Sequence, residues 1–441
     1  MTSVSGAARP ATPRTALAVF VALLLVYFVA VVHRTSMGVA GMEAIERFGS
    51  EAAGLSVLAV AQVVMYAAMQ IPAGHLLDRF GPMKVMLAGS LLMAVGQALL
   101  AVTGNYTIAL LARLVLGIGD APIFISATRL LAAWFPPRRV PVLVQITATM
   151  GHIGQLATAI PVAWVLHQGG WGAAFGMLAM AGLVAAGVAA VGVRMPRVEE
   201  VSEPVQRQRM WVSVRAATAV AGTRLGFWSH FLPPFSANTI ALLWGVPFFI
   251  TAQGLTSAQA SGLLIVLTIA AMIAGPVAGI LTGRHPLRRT WIVLASAMGT
   301  AVAWAGLLSF DTPRPFWQLA LFCAVIGAGG PISLVGIDFA RTWNPSARLG
   351  IATGFVNVGG FTSTIAGVLL VGIVLQVVAA PGTTEYTLDQ YRLAFASLLL
   401  PWIVGVAGVL GARKRTRADM AASGIVIPRI RDSLTRGRPG D

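Results

Sequence analysis

Three charged residues lie inside stretches that are otherwise apolar. Arg34 falls in HRTSMGVA (His33–Ala40), near the end of the first long apolar run. Arg113 and Asp120 fall in ARLVLGIGDAP, seven residues apart. Seven residues are two helical turns, so on a helix both side chains face one way, about 10 Å apart along the axis. Gly117 and Gly119 between them permit a neighbouring helix to approach closely. Arginine grips a carboxylate or phosphate through two parallel hydrogen bonds. An aspartate away from water can take up and release a proton, and histidine titrates near neutral pH. Arg34, Arg113, Asp120 and His33 therefore suggest a cavity for a small anion, lined by groups able to carry a proton. Charges buried in membrane helices are costly, which makes a functional role the first expectation. Two structural readings stay open beside it: Arg34 snorkelling to the outer headgroups, and Arg113 with Asp120 as an ion pair that only holds helices together. Enzyme chemistry is not expected. The six His show no ligand spacing, and there is no nucleophile–base pair or phosphate loop. No cofactor is implied, and the single cysteine, Cys323, excludes an intrachain disulfide.

The elements that must position these groups are membrane helices. Hydrophobic residues make up 57% of the 441-residue chain and charged residues 10%, against roughly 25% charged in a soluble domain. Mean hydropathy is +0.80. That apolar content exceeds what one globular core can hold and fits lipid-bathed helices of about 20 residues. The 48 Gly and 24 Pro suit such helices, where they serve close packing and kinks. Twelve segments are expected, near 15–40, 52–76, 84–103, 107–135, 139–166, 171–193, 223–252, 258–283, 289–309, 315–342, 348–378 and 391–412. The first is too long for a signal-peptide core and is read as uncleaved. Residues 1–14 form a polar tail, 15–193 one six-helix bundle, 194–222 a mixed-charge linker, 223–412 a second bundle, and 413–441 a basic tail.

The loops orient the chain. Alternate loops hold Arg79 and Lys84, Arg138 and Arg139, the linker, Arg284, Arg288 and Arg289, and Arg341 and Arg348. The opposite loops are poor in basic residues; that near Thr251–Gln259 has no charge, and that near Pro381–Gln390 carries Glu385 and Asp389. Basic loops stay inside, so both termini and the linker are expected in the cytoplasm. The same pattern accounts for the net charge of +16 without a nucleic-acid partner, for which no basic reading face is visible.

The chain also repeats. GHLLDRFGPMK (Gly74–Lys84) has a weaker copy in GILTGRHPLRR (Gly279–Arg289), and WFPPRR (Trp134–Arg139) matches WNPSAR (Trp343–Arg348). Two parallel six-helix halves around a midplane site are a known transporter plan.

GHLLDRFGPMK resembles the loop 2–3 signature of the major facilitator superfamily, over about residues 15–412. The matching positions are Gly74, Asp78, Arg79, Gly81 and Lys84; the second copy has Gly283 where the aspartate stands. The resemblance implies an all-α membrane protein of twelve helices working by alternating access. It also implies that these residues gate the cytoplasmic side. HRTSMGVA is similar to the helix 1 pattern of the anion:cation symporter family, with Arg34 on its substrate arginine and His33 in place of a frequent aspartate. Arg113 and Asp120 fall on that family's helix 4 arginine and glutamate. The implied function is proton-coupled uptake of a small organic anion by a monomer in a bacterial inner membrane. Arg34, Arg113 and Asn357 of FVNVGGF are expected at the substrate, and Asp120 and His33 on the proton path. Asp338 and Arg341, three apart, are expected to pair as part of the gate, and Arg129 to anchor near the cytoplasm. The alternative is a drug or metabolite exporter by proton antiport, although GHIGQLATAIP lacks the helix 5 motif of such antiporters. Nitrate carriers use arginines inside helices 2 and 8, and VVMYAAMQIPAG and LTIAAMIAGPVAG contain none. A receptor role for the same fold is a further rival. Pro233 and Pro234 predict a kink in the seventh segment.

Overall fold

The structure, a computed structural model, describes residues 13–49, 52–196, 209–379 and 386–425. Most of the N-terminal tail, the middle of the linker, Glu385 and the end of the basic tail lie outside the described residues. Every regular element among the described residues is helical. The first part holds α1 (Pro13–Val39), the short α2 (Gly41–Phe48), α3 (Ala52–Ala68), α4 (Gln70–Phe80), α5 (Pro82–Val102), α6 (Tyr106–Trp134), α7 (Val140–Ala157) and α8 (Ala163–Gly192). The second holds α9 (Met210–Ala219), α10 (Ala221–Phe231), α11 (Pro234–Thr239), α12 (Gly245–Pro247), α13 (Ser257–Arg284), α14 (Arg289–Leu308), α15 (Phe316–Gly329), α16 (Val335–Trp343), α17 (Leu349–Val378), α18 (Leu388–Ala396) and α19 (Leu399–Ala422).

Ten of the described helices are long and apolar enough to cross a membrane, or eleven if the bent pair α3–α4 counts as one span. That pair bends by 51°. Pro72, early in α4, lacks the amide that would bond the carbonyl of Ala68, which frees the turn to bend. The longest span, Val140–Gly192, contains Gly170 at φ 75, where two helices meet across a kink. A left-handed backbone favours glycine there. The expected break at Pro233–Pro234 is present between α10 and α11, and π-helical turns at Ile240–Trp244 and Phe248–Ala252 continue the irregularity.

Two large buried cores form. One gathers residues between Val19 and Val193, the other residues between Leu225 and Ala412. Two seams join these parts: α4 against α17, and α7 against α13. Both are built on glycine. A side chain at Gly74 would run into the backbone of Gly350, and one at Gly354 into Gln70. On the other seam, Gly279 lies against Pro141 and Val142, and Gly283 against the carbonyl of Arg138. Without Cβ atoms the helix backbones touch directly. Residues from both seams, Val144 and Thr353 among them, line one small crevice, so the seams meet at the same end of the molecule as the α4–α5 turn.

Candidate functional site

Arg34 and Asp120 meet. The Arg34 Nε and Nη2 donate to the two carboxylate oxygens of Asp120 at 2.7 and 2.8 Å. The carboxylate is fully buried, while 27% of the arginine side chain stays exposed, so the guanidinium caps the acid and keeps one face open. The guanidinium carbon lies 4.5 Å from the ring centre of Tyr66 on α3, a cation–π contact that holds its plane. Tyr27 flanks the pair from α1. Beside it Thr35 and Thr158 share a hydrogen bond at 2.7 Å.

Arg113, expected at the substrate, goes elsewhere, and it does not form the ion pair with Asp120 that stood as the structural alternative. It is 2% exposed, and its Nε donates to the carbonyl of Leu58 at 3.0 Å. Helix direction supplies the reason. The contacts Arg34–Asp120, Tyr27–Phe124 and Phe20–Phe135 run in opposite chain order, so α1 and α6 are antiparallel. Side chains lean toward the N-terminus of their own helix. On α1 this swings Arg34 toward the level of Asp120; on α6 it swings Arg113 away, toward α3. His33 is fully buried on another face, with its Nε2 2.9 Å from the carbonyl of Leu178. The structure does not bring it to Asp120.

The residues expected at the gate divide. Asp78 reaches across the α4–α17 seam and accepts from the amides of Gly350 at 2.8 Å and Ile351 at 3.0 Å. These belong to the first turn of α17, whose amides lack intrahelical acceptors and carry the positive end of the helix dipole. Within its own half Asp78 accepts from Arg129 at 2.7 Å. Arg129, expected only as an anchor, is thus the arginine of this cluster. Arg79 is exposed and lies over Phe80, and Lys84 is exposed on α5. Gly81, at φ 78, makes the turn into Pro82 at the start of α5, a position where glycine is unstrained. Gly74 sets the backbone approach.

The second seam shows why its motif copy departs. Adding the repeat offset places Gly283 where Asp78 stands, and Pro141 opposite Gly350. The carboxylate acceptor is gone, and proline has no amide to donate; donor and acceptor are lost together. Asp338 instead forms an ion pair with Arg289 and accepts from Arg341 Nε at 3.0 Å. Arg341 also reaches the carbonyl of Pro137 across the seam at 3.4 Å. Asp338 and Arg341 pair as their spacing suggests, with Arg289 as an added partner. Asn357, expected at the substrate, donates to Gln70 Oε1 at 2.7 Å across the first seam. It is 5% exposed and lies beside Tyr66 and His230, so it forms the floor below the Arg34 site. Gln145 closes the other side by donating to the carbonyl of Pro331 at 2.8 Å.

A family model described as Major Facilitator Superfamily matches residues 19–367. The chain belongs to the Major Facilitator Superfamily. The fucose:proton symporter FucP of Escherichia coli shares the fold of this superfamily protein at a TM-score of 0.64. It is 15% identical, and the match covers 90% of this chain and 98% of that one. Among curated proteins, the probable sulfoacetate transporter SauU of Cupriavidus necator is 33% identical over 153 residues, 35% of this chain and 36% of that relative. The probable galactarate/D-glucarate transporter GudP of Escherichia coli is 22% identical over 85% of this chain and 91% of its own. The probable nitrate/nitrite transporter NarK2 of Mycobacterium tuberculosis is 27% identical over 78% and 84%. The chain spans about a third of SauU and most of the other two. It is a multi-pass membrane transporter of this superfamily and not an enzyme.

Within this superfamily protein, sequence reasoning missed four site residues. Tyr66 and Gln70 lie in VVMYAAMQIPAG, read only for its lack of arginine. Their polar groups in an apolar segment were the available signal. Arg289 aligns with Lys84 in the repeat and read as a loop charge. Arg129 carried no signal beyond its charge, because its partner lies 51 residues away.

Proposed function

We propose that this transporter takes up a small organic anion together with protons, by alternating access between halves 15–193 and 223–412. Twelve crossings follow if α3–α4 is one span and Val140–Gly192 is two, divided at Gly170. The basic loops, both termini and the linker then face the cytoplasm of a bacterial cell, in its inner membrane, and the monomer is the working unit.

The observation that carries this reading is the Arg34–Asp120 clamp with its open face. The site holds one positive group and one negative group, so it is balanced when empty. An incoming carboxylate needs Arg34 and must displace Asp120. Two carboxylates on one guanidinium leave a net negative charge, which is costly away from water. A proton on Asp120 removes that cost and releases Arg34. Anion and proton are therefore favoured together, which is coupling in free-energy terms. The seams closed on the α4–α5 side fit a state open to the opposite side, from which both would enter. Relatives named for sulfoacetate, galactarate or D-glucarate, and nitrate or nitrite support an anionic substrate. The described α3, α4 and α13 hold no arginine before Arg79 and Arg284, which favours an organic anion over nitrate. Under this reading Arg113 and Asn357 act on the site through packing and the floor, and His33 through the hydrogen bonds around α1.

The test is a thermal-stability panel of carboxylates, sugar acids, nitrate, neutral sugars and lipophilic cations on the purified protein, since a ligand of the folded state raises its melting point. Uptake into proteoliposomes under an inward proton gradient follows. Organic anions should stabilise, Arg34→Ala should abolish this, and Asp120→Asn should keep binding while uptake loses its response to the gradient. Stabilisation by lipophilic cations that is indifferent to Arg34 would replace this reading with export by antiport.

A further inference from the structure

Away from the Arg34 site, a cavity of about 340 Å³ opens at the terminus-bearing end of the second half. Its walls come from the start of α10, the α13–α14 turn, the end of α16 and the last turns of α19. Four arginines are among its lining residues, Arg288, Arg289, Arg413 and Arg417, and no acidic residue is among the described ones. We infer that this cavity binds a phosphate-bearing group, with an anionic phospholipid headgroup as its occupant in the membrane.

Three observations support the inference. The first is a built basic wall. The Arg413 guanidinium stacks 4.4 Å from the ring centre of Trp291. Arg289 lies 4.0 Å over Phe339, donates to Thr342 Oγ1 at 2.6 Å and is 4% exposed. Its Nε is buried and has no hydrogen-bond partner among the described residues, which is costly for a charged donor. Asp338 pairs with Arg289 but is shared with Arg341, so among the described residues the wall keeps a net positive charge.

The second is the backbone. The cavity lies at the N-terminal end of α14, a 20-residue helix whose first residues are part of its lining. The positive end of the helix dipole favours an anion there. The volume falls in the range of small-molecule sites, about 300–1,000 Å³, and far exceeds one water, about 30 Å³.

The third is the level in the membrane. The last span, Leu388–Ala422, has 35 residues, about 50 Å of helix against a hydrocarbon core of about 30 Å. Its final turns, with Arg413 and Arg417, leave the hydrocarbon. Trp291 and Leu287 are 42% and 51% exposed beside them, as an interfacial belt requires. Acyl chains can rest on this apolar rim while the phosphate sits among the arginines.

The experiment uses the full-length protein purified in detergent and read by native mass spectrometry and by melting point. Phosphatidylglycerol is titrated against phosphatidylcholine, and inorganic phosphate is run as a soluble arm. Wild type is compared with R413Q/R417Q and with K414Q/R415Q, whose charges lie on the same exposed helix end but do not line the cavity. Phosphatidylglycerol should be retained and should stabilise wild type and K414Q/R415Q. R413Q/R417Q should bind it roughly thirtyfold more weakly, as expected for two arginines at a lipid surface. If inorganic phosphate stabilises as well and depends on the same two arginines, the phosphate site stands and its source includes the soluble ion. Equal retention of phosphatidylcholine, or equal losses in both double variants, would overturn the site. None of these readouts depends on what the transporter carries.

Discussion

Replacing Asp78 by Asn tests the logic of the first seam. The carboxylate accepts two amides from the facing half, Gly350 at 2.8 Å and Ile351 at 3.0 Å. Both belong to the first turn of α17, where no carbonyl of the helix itself is available. Asparagine keeps one acceptor oxygen and turns an amino group toward the second amide. One bond is lost, and the other loses its charge. A hydrogen bond to a charged acceptor contributes about 1.5–3 kcal/mol, and a carboxylate at a helix N-terminus about 0.3–1 kcal/mol in exposed settings. The contacts with Arg129 at 2.7 Å weaken at the same time. The seam should lose about 2–3 kcal/mol, or roughly 30- to 150-fold in the equilibrium between joined and parted states. Hydrogen exchange read by mass spectrometry on peptides covering 349–354 is the assay, because two amides of this stretch, Gly350 and Ile351, have Asp78 as their acceptor. Exchange there should accelerate by that factor while the cores around Leu23 and Phe235 keep their protection. Unchanged exchange at 349–354 in a folded Asp78→Asn protein would refute the idea that this carboxylate holds the halves together.

Gly74→Val places a side chain against the backbone of Gly350, which cannot rotate aside. Spin labels at the exposed positions Arg79 and Ala347, in a Cys323→Ala background, should move apart by several ångströms, and an unchanged distance would count against the glycine seam. Asn357→Leu leaves Gln70 Oε1 unpaired in a buried place, a penalty of about 1–3 kcal/mol. The same labels should report separation in this variant and recovery in Gln70→Leu/Asn357→Leu, where neither partner is stranded; a silent single variant would remove Asn357 from the floor. Arg113→Gln should leave anion affinity within about threefold and lower the melting point by a few degrees, since its hydrogen bond among the described residues goes to Leu58 and not to the Arg34 site. A tenfold loss of anion binding without destabilisation would return Arg113 to the substrate.

How much of this was legible in the chain follows from where each constraint acts. The bilayer imposes length and hydrophobicity segment by segment, so the helical class could be read locally. The two motif copies could be read the same way, because a turn between two helices is a local object. One glycine of GHLLDRFGPMK has short-range meaning too: Gly81 turns the chain at φ 78, whereas Gly74 acts through α17. A charge stands out in an apolar stretch wherever it goes, which is why Arg34, Arg113 and Asp120 were visible as candidates.

Their partners were not visible. The seven-residue spacing placed Arg113 and Asp120 on one face of α6, but the lean of side chains along antiparallel helices handed Asp120 to Arg34. Arg129 and Asp78 lie on different helices, and nothing in either stretch announces the other. The exchange of Asp78 and Gly350 for Gly283 and Pro141 makes sense only once the seams are in register. By itself, then, the sequence determined the solvent of each helix, the duplicated plan and the set of groups that had to be explained, because those depend on burial in lipid and on local turns. Only the tertiary structure decided which charge answers which, because an ion pair depends on helix direction and on a few ångströms of approach between segments far apart in the chain.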